Sequence, residues 1–130
     1  MTVVPVYAAL LAFVYIYLSA RVIKLRRERK VALGANGDAV IERAMRVHAN
    51  FAEYAPLALL LLFMLETSGG NIIWLNILCA ALLAGRILHA LGLAKANEDF
   101  RYRVAGMMMM LTVIGAAAAS LLGLTLLAHL

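Results

Sequence analysis

The sequence predicts an all-α fold, an integral membrane four-helix up-and-down bundle, and three observations predict it. The 130 residues are 65% hydrophobic and only 15% charged, with a mean hydropathy of +0.92, well outside the balance of soluble chains. Four apolar stretches, 1–20, 47–65, 72–94 and 104–130, are each long enough to cross a hydrocarbon core of about 30 Å at about 1.5 Å per helical residue. The connections between them are short enough to set consecutive helices antiparallel.

Taken in order, the elements form one four-helix domain over 1–130, with helices expected at about 2–25, 39–66, 71–95 and 100–129. The first stretch lacks the basic n-region of a secretory signal, its apolar run exceeds a typical h-region, and basic residues follow it directly, so it is expected to stay in the mature chain. GANGD at 34–38 is a turn cluster in which Asp38 is a suitable N-cap for the second helix. Ser68, Gly69 and Gly70 make a short turn to the third helix, and Lys95 to Asp99 another to the fourth, with Asn97 or Asp99 as cap. The run Met107 to Met110 reads as adaptable packing against neighbours in preference to a lipid or substrate contact.

The net charge of +5 would point to nucleic acid in a soluble protein, but here the cations gather in two connections. Lys24, Arg26, Arg27, Arg29, Lys30, Arg43 and Arg46 lie in or beside the first, and Lys95, Arg101 and Arg103 in or beside the third, whereas the second connection and both termini hold none. The positive-inside rule therefore places both termini outside and both basic connections in the cytoplasm. The single cysteine, Cys79, allows no disulfide within the chain and makes a thiolate metal site unexpected; its expected role is packing.

Polar residues inside the second helix carry the functional argument. In ERAMRVHANFAEYAP at 42–56, residues Arg43, Arg46, Asn50 and Glu53 fall at about 0°, 300°, 340° and 280° on a helical wheel, one face, while His48 at about 140° stands apart. A charge at a transmembrane helix centre costs roughly 2.5–3.5 kcal/mol, so Glu53 needs a partner, a ligand or a proton, and its face should look into protein or an aqueous cavity. In the third helix Arg86 lies about 21 Å from Ile72, with His89 one turn further. Arg103 opens the fourth helix at the same level, and Arg26 or Arg27 ends the first. Every helix thus sends a polar or basic group to one layer. Snorkelling anchors explain Arg26, Arg27 and Arg43 taken singly, and an Arg86–Glu53 salt bridge is the bland account of that glutamate.

A layer of several arginines with one carboxylate suits a small ligand with multiple negative charges and at least one amine, since arginine grips carboxylates in a bidentate manner. The helix-two motif, together with GRILH at 85–89 and RVAG at 103–106, resembles the MAPEG family, the membrane-associated proteins in eicosanoid and glutathione metabolism. The resemblance spans nearly the whole chain and is to the small bacterial inner-membrane members. It implies a homotrimer in the inner membrane, with glutathione as cosubstrate bound between adjacent subunits near the cytoplasmic side. Glutathione carries two carboxylates and one amine, which matches the ligand class inferred from the residues.

Carried over by position, the resemblance gives Arg46, Asn50 and Glu53 glutathione-binding roles, makes Arg103 the catalytic arginine beside the thiol, and matches its helix-one arginine to Arg26, with Arg27 adjacent; Arg86 and His89 join the glutathione-binding set from the polar layer. Three departures bear on the reaction. His89 stands where some members have tyrosine and others histidine, Leu93 where eicosanoid synthases have tyrosine, and Val104 where prostaglandin E synthase has serine. Conjugation or peroxide reduction, which mainly need a thiolate, is therefore implied over a serine-dependent isomerase, and no eicosanoid substrate is assigned. The expected function is a glutathione-dependent transferase or peroxidase acting on lipophilic electrophiles or lipid hydroperoxides from the bilayer, with no metal. Two alternatives remain open: a non-catalytic membrane protein binding glutathione or another anion, and a small proton-coupled exporter using Glu53. Against the exporter, the first helix has no acidic residue where such exporters have theirs, and Arg43 and Arg46 would repel cationic drugs.

Overall fold

The computed structural model describes residues 2–92 and 100–128; Leu93, Lys95, Asn97, Asp99 and His129 lie outside the described residues. Four α-helices follow in order: α1 (Val4–Glu28), α2 (Ala39–Thr67), α3 (Ile72–Gly92) and α4 (Phe100–Leu127). All four are long and apolar enough to cross a membrane. The shortest, α3, has 21 residues, about 32 Å, and so matches the hydrocarbon core on its own.

Helices α2 and α3 form the central pair. Each packs against both α1 and α4, whereas α1 and α4 do not meet among the described residues. Burial follows this plan. α2 buries Ile41, Ala44, Val47, Phe51, Ala55, Ala58, Leu62 and Leu65, spaced by three or four residues as one helical stripe requires. α1 buries only Val4, Leu11 and Leu18 and leaves Phe13, Ile16 and Tyr17 exposed. In lipid, that exposure costs nothing hydrophobic, because acyl chains are as apolar as a protein core.

Local chemistry sets the helix ends. Asp38 caps α2, its Oδ1 accepting from Val40 N at 2.9 Å and Ile41 N at 3.2 Å, and it also accepts from the Arg29 guanidinium. Burial works against the ionised carboxyl, but those two backbone N–H groups and Arg29 outweigh it and hold Asp38 below its ordinary value. At the other end of α2, Gly70 N donates to Leu65 O at 2.9 Å and Gly69 sits at φ +82°, a Schellman ending that glycine permits at no steric cost. Asn71 then caps α3, its Oδ1 accepting from Ile73 N and Trp74 N.

Helix α1 has no side-chain cap of its own. Glu66, at the end of α2, supplies one across the interface, its Oε1 accepting from Val3 N and Val4 N. The α3–α4 seam is tighter than any other. A Cβ on Gly106 would lie 2.5 Å from Gly85 O and 2.7 Å from His89 N, and one on Gly92 would lie 2.9 Å from Arg103 N. The two backbones touch because three glycines let them, the device by which transmembrane helices gain van der Waals contact where no hydrophobic force drives them together.

Candidate functional site

At the basic end of the bundle a cavity of about 350 Å³ opens between α2, α3 and α4, lined by Ala39, Glu42, Arg43, Arg46, Asn50, His89 and Arg103. The α2 contributors follow steps of three and four residues up one helix face. His89 and Arg103 reach it from across the glycine seam. His89 Nδ1 lies 3.3 Å from the Arg103 carbonyl oxygen, so the ring donates there from Nδ1 and leaves Nε2 as the atom able to serve the cavity. The Arg103 guanidinium carbon stands 5.4 Å over the Phe100 ring, a cation–π contact within α4.

Arg86 lies behind this surface, 1% exposed. Its Nη2 donates to Asn50 Oδ1 at 3.0 Å and its Nη1 approaches Met110 Sδ at 3.1 Å, while the guanidinium carbon is 6.0 Å from the Phe51 ring centroid. No carboxylate pairs with it among the described residues, and its Nε is buried without a partner. Because Arg86 takes the amide oxygen of Asn50, the amide nitrogen must point elsewhere; it faces Met107 Sδ at 3.8 Å. Two of the four consecutive methionines therefore serve as soft acceptors beneath the site. Met108 is 57% exposed.

The sum is a cavity with three arginines at its surface, a fourth behind it, and one carboxylate, Glu42. Such a field favours a multiply charged anion, and the low dielectric around Arg86 lets its charge act through the wall. Glu42 and Arg43 were not among the candidate site residues. Glu42 stands four residues before Arg46, the spacing that puts side chains on one face, so its place could be read from the motif.

Two candidates lie elsewhere. Glu53 is exposed on the outside of the single chain, it is absent from the cavity lining, and it forms no salt bridge among the described residues. The bland pairing with Arg86 is thus absent: Asn50, one turn before Glu53, holds that guanidinium. The angular reason is that Glu53 sits at the edge of the arc, where Tyr54 turns the helix back to the core. Arg26 lies at the end of α1 with Arg27 and Lys30 around a different cavity, its Nη2 3.5 Å from Met45 Sδ. The layer to which all four helices contribute is therefore two separate cavities within one chain. His48, set apart on the wheel, is on the α1 side of α2, its Nε2 3.0 Å from Ser19 Oγ and its ring stacked on Tyr15 at 4.9 Å between centroids.

Among known proteins, two relatives are the inner membrane protein YecN of Escherichia coli strain K12 and that of strain CFT073. Each is 36% identical over 101 residues, covering 78% of this chain and 76% of the relative. The MAPEG family model matches residues 4–123, from the start of α1 to within the last turns of α4, and the chain belongs to the MAPEG family.

Proposed function

We propose that the protein is a glutathione-dependent transferase or peroxidase of the inner membrane, acting on lipophilic electrophiles or lipid hydroperoxides. The observation that carries this reading is the cavity in which Arg46, Asn50, His89 and Arg103 converge over the buried Arg86. Glutathione brings two carboxylates for Arg46 and Arg43, amide groups for Asn50, and a thiol that can lie against Arg103.

The chemistry asked of Arg103 is modest. A thiol of pKa about 8.5 needs a shift of about 1.5 units, about 2 kcal/mol, to be half ionised at pH 7. One cation at 4 Å supplies about 4 kcal/mol at an effective dielectric of 20. The resulting thiolate attacks an electrophilic carbon to form a thioether, either expelling a leaving group as its anion or adding to an activated alkene whose π pair then takes a proton from water. Alternatively it attacks the terminal peroxide oxygen, breaking the O–O bond to give a sulfenic acid and an alkoxide that takes a proton to become the alcohol. A second glutathione then reduces the sulfenic acid to the disulfide and water.

Glu53 and Arg26 fit this reading from outside the single-chain cavity. In the homotrimer that the reading includes, each is available to a site shared between subunits, Glu53 for the ligand's amine and Arg26 for a carboxylate. The basic connections face the cytoplasm, where the positive-inside rule puts them and where glutathione is found at the mouth of the site.

The test is the ultraviolet thiolate absorbance of glutathione titrated onto detergent-solubilised protein. The expected outcome is a saturable signal at neutral pH that Arg103→Ala abolishes while glutathione still binds. Binding without thiolate in the unaltered protein would make it a non-catalytic anion binder, and no binding would end the glutathione reading. A proton-driven drug flux lost in Glu53→Gln would move the function to the exporter class.

A further inference from the structure

Four consecutive methionines, Met107 to Met110, sweep about 300° around α4, so each thioether meets a different environment. Met110 is fully buried, its Sδ 3.1 Å from Arg86 Nη1. Met109 lies in the glycine seam, where a Cβ on Gly85 would stand 3.1 Å from its own Cβ. Met108 is 57% exposed on the outside of the bundle. Met107 combines access with a polar partner: it is half-buried, and its Sδ faces Asn50 Nδ2 at 3.8 Å. It stands one turn along α4 from Arg103, so the two residues nearest it in this sense, Arg103 and Asn50, both line the anion cavity.

A thioether is a weak acceptor, and at 3.8 Å it holds the Asn50 amide loosely. Its sulfoxide is polar, with an oxygen that accepts strongly. The conversion needs only a hydroperoxide. The sulfur lone pair attacks the terminal peroxide oxygen, the O–O bond breaks as the S–O bond forms, and the proton of that terminal oxygen passes to the departing alkoxide. Sulfur is oxidised by two electrons and the hydroperoxide is reduced by two, to the alcohol.

We propose that Met107 is an oxidative modification site, at which a hydroperoxide turns the thioether into a sulfoxide that binds the Asn50 amide and lowers the affinity of the cavity for its anion. Arg86 already holds Asn50 Oδ1 at 3.0 Å. With the sulfoxide oxygen taking an N–H of the same amide, Asn50 is gripped at both ends and has less left to offer a ligand. The new oxygen also carries partial negative charge beneath Arg46 and Arg103, where it competes with a carboxylate for guanidinium N–H groups. Burial keeps the Met110 sulfur from the same fate and so spares its contact with Arg86. The effect on glutathione rests on the reading of the cavity given above; the oxidation of Met107 does not.

The test exposes the full chain in micelles, free of glutathione, to cumene hydroperoxide, removes the peroxide, and divides the sample between peptide mass spectrometry and glutathione titration. Met108 should oxidise first and Met107 next, while Met110 stays a thioether, in the order of their exposure. Glutathione affinity should fall about tenfold in step with the Met107 sulfoxide, and methionine sulfoxide reductase should restore it. In Met107→Leu, a volume-conserving change, peroxide should no longer alter the affinity, whereas Met108→Leu and Met45→Leu should keep the full response. A Met107 that stays reduced once Met108 is fully converted overturns the proposal. So does a Met107 sulfoxide with unchanged affinity, or a peroxide effect that survives in Met107→Leu or disappears in Met45→Leu. Absence of glutathione binding before any peroxide is added would instead end the glutathione reading, and the Met107 peptide mass would still uphold or overturn the modification site.

Discussion

The α3–α4 seam and the α1–α2 seam are built on opposite plans. In the first, Gly85, Gly92 and Gly106 remove side chains so that backbones touch, and the contact sets His89 Nδ1 at 3.3 Å from the Arg103 carbonyl. In the second, the helices stand apart on side chains. Tyr15 stacks on His48, Ser19 bridges to its ring, and a cavity of about 400 Å³ remains along Leu11, Phe51, Ala55 and Pro56. Backbone contact thus fixes the separation of His89 and Arg103 across one seam, while side-chain contact leaves an open cavity along the other. Precision in a membrane bundle follows close packing, since polar bonds between helices are worth only about 0.6 kcal/mol on average.

The sharpest way to break this contrast is Gly106→Leu. Its side chain has no space beside Gly85 O and His89 N, so overpacking should cost about 3 kcal/mol. Prising α4 from α3 should also remove glutathione binding, measured by calorimetry alongside unfolding in mixed micelles. Arg86→Met comes next and separates fold from function. A buried guanidinium with no carboxylate is replaced by an apolar chain of similar length, so stability should stay within about 1 kcal/mol. Glutathione affinity should fall tenfold or more, because Asn50 loses the donor that orients its amide. If affinity is unchanged, Arg86 is a packing residue only.

On the looser seam the expected effects are smaller. Glu66→Ala removes the cross-helix cap on Val3 N and Val4 N and should cost about 1 kcal/mol in the same unfolding assay, the usual worth of a helix cap. Loss of protection at the α1 N-terminus in hydrogen exchange would accompany it. Ser19→Ala should cost about 0.5 kcal/mol and leave glutathione binding untouched. A Ser19→Ala effect as large as that of Gly106→Leu would erase the distinction between the seams.

Much of the fold and part of the site were legible in the sequence. Apolar length revealed four spans, because a bilayer demands a minimum run of nonpolar residues from any helix that crosses it. Asp38 after GANG marked the α2 start, because cap chemistry is local. The face holding Arg43, Arg46 and Asn50 followed from helical spacing. Glu53 shows where spacing stops: it belongs to the same arc, yet it lies outside the cavity, because an arc of about 80° is wider than one opening between helices. Arg26 shows the same for depth, since membrane level says nothing of which side of a bundle a residue occupies. The glycines were visible but their use was not, as only the partner backbone shows which glycine is in contact.

By itself, the sequence determined the quantities that depend on neighbours along the chain: four apolar spans, the caps, the arginine-rich face of α2 and the family likeness of its motif. Tertiary structure alone decided that Arg86 grips Asn50 instead of Glu53, that three glycines bring His89 to Arg103, and that the basic residues divide between two cavities. The physical reason is that helix propensity and membrane insertion act over one to five turns of a single chain segment, whereas the rotation and separation of packed helices are set by contacts between residues dozens of positions apart.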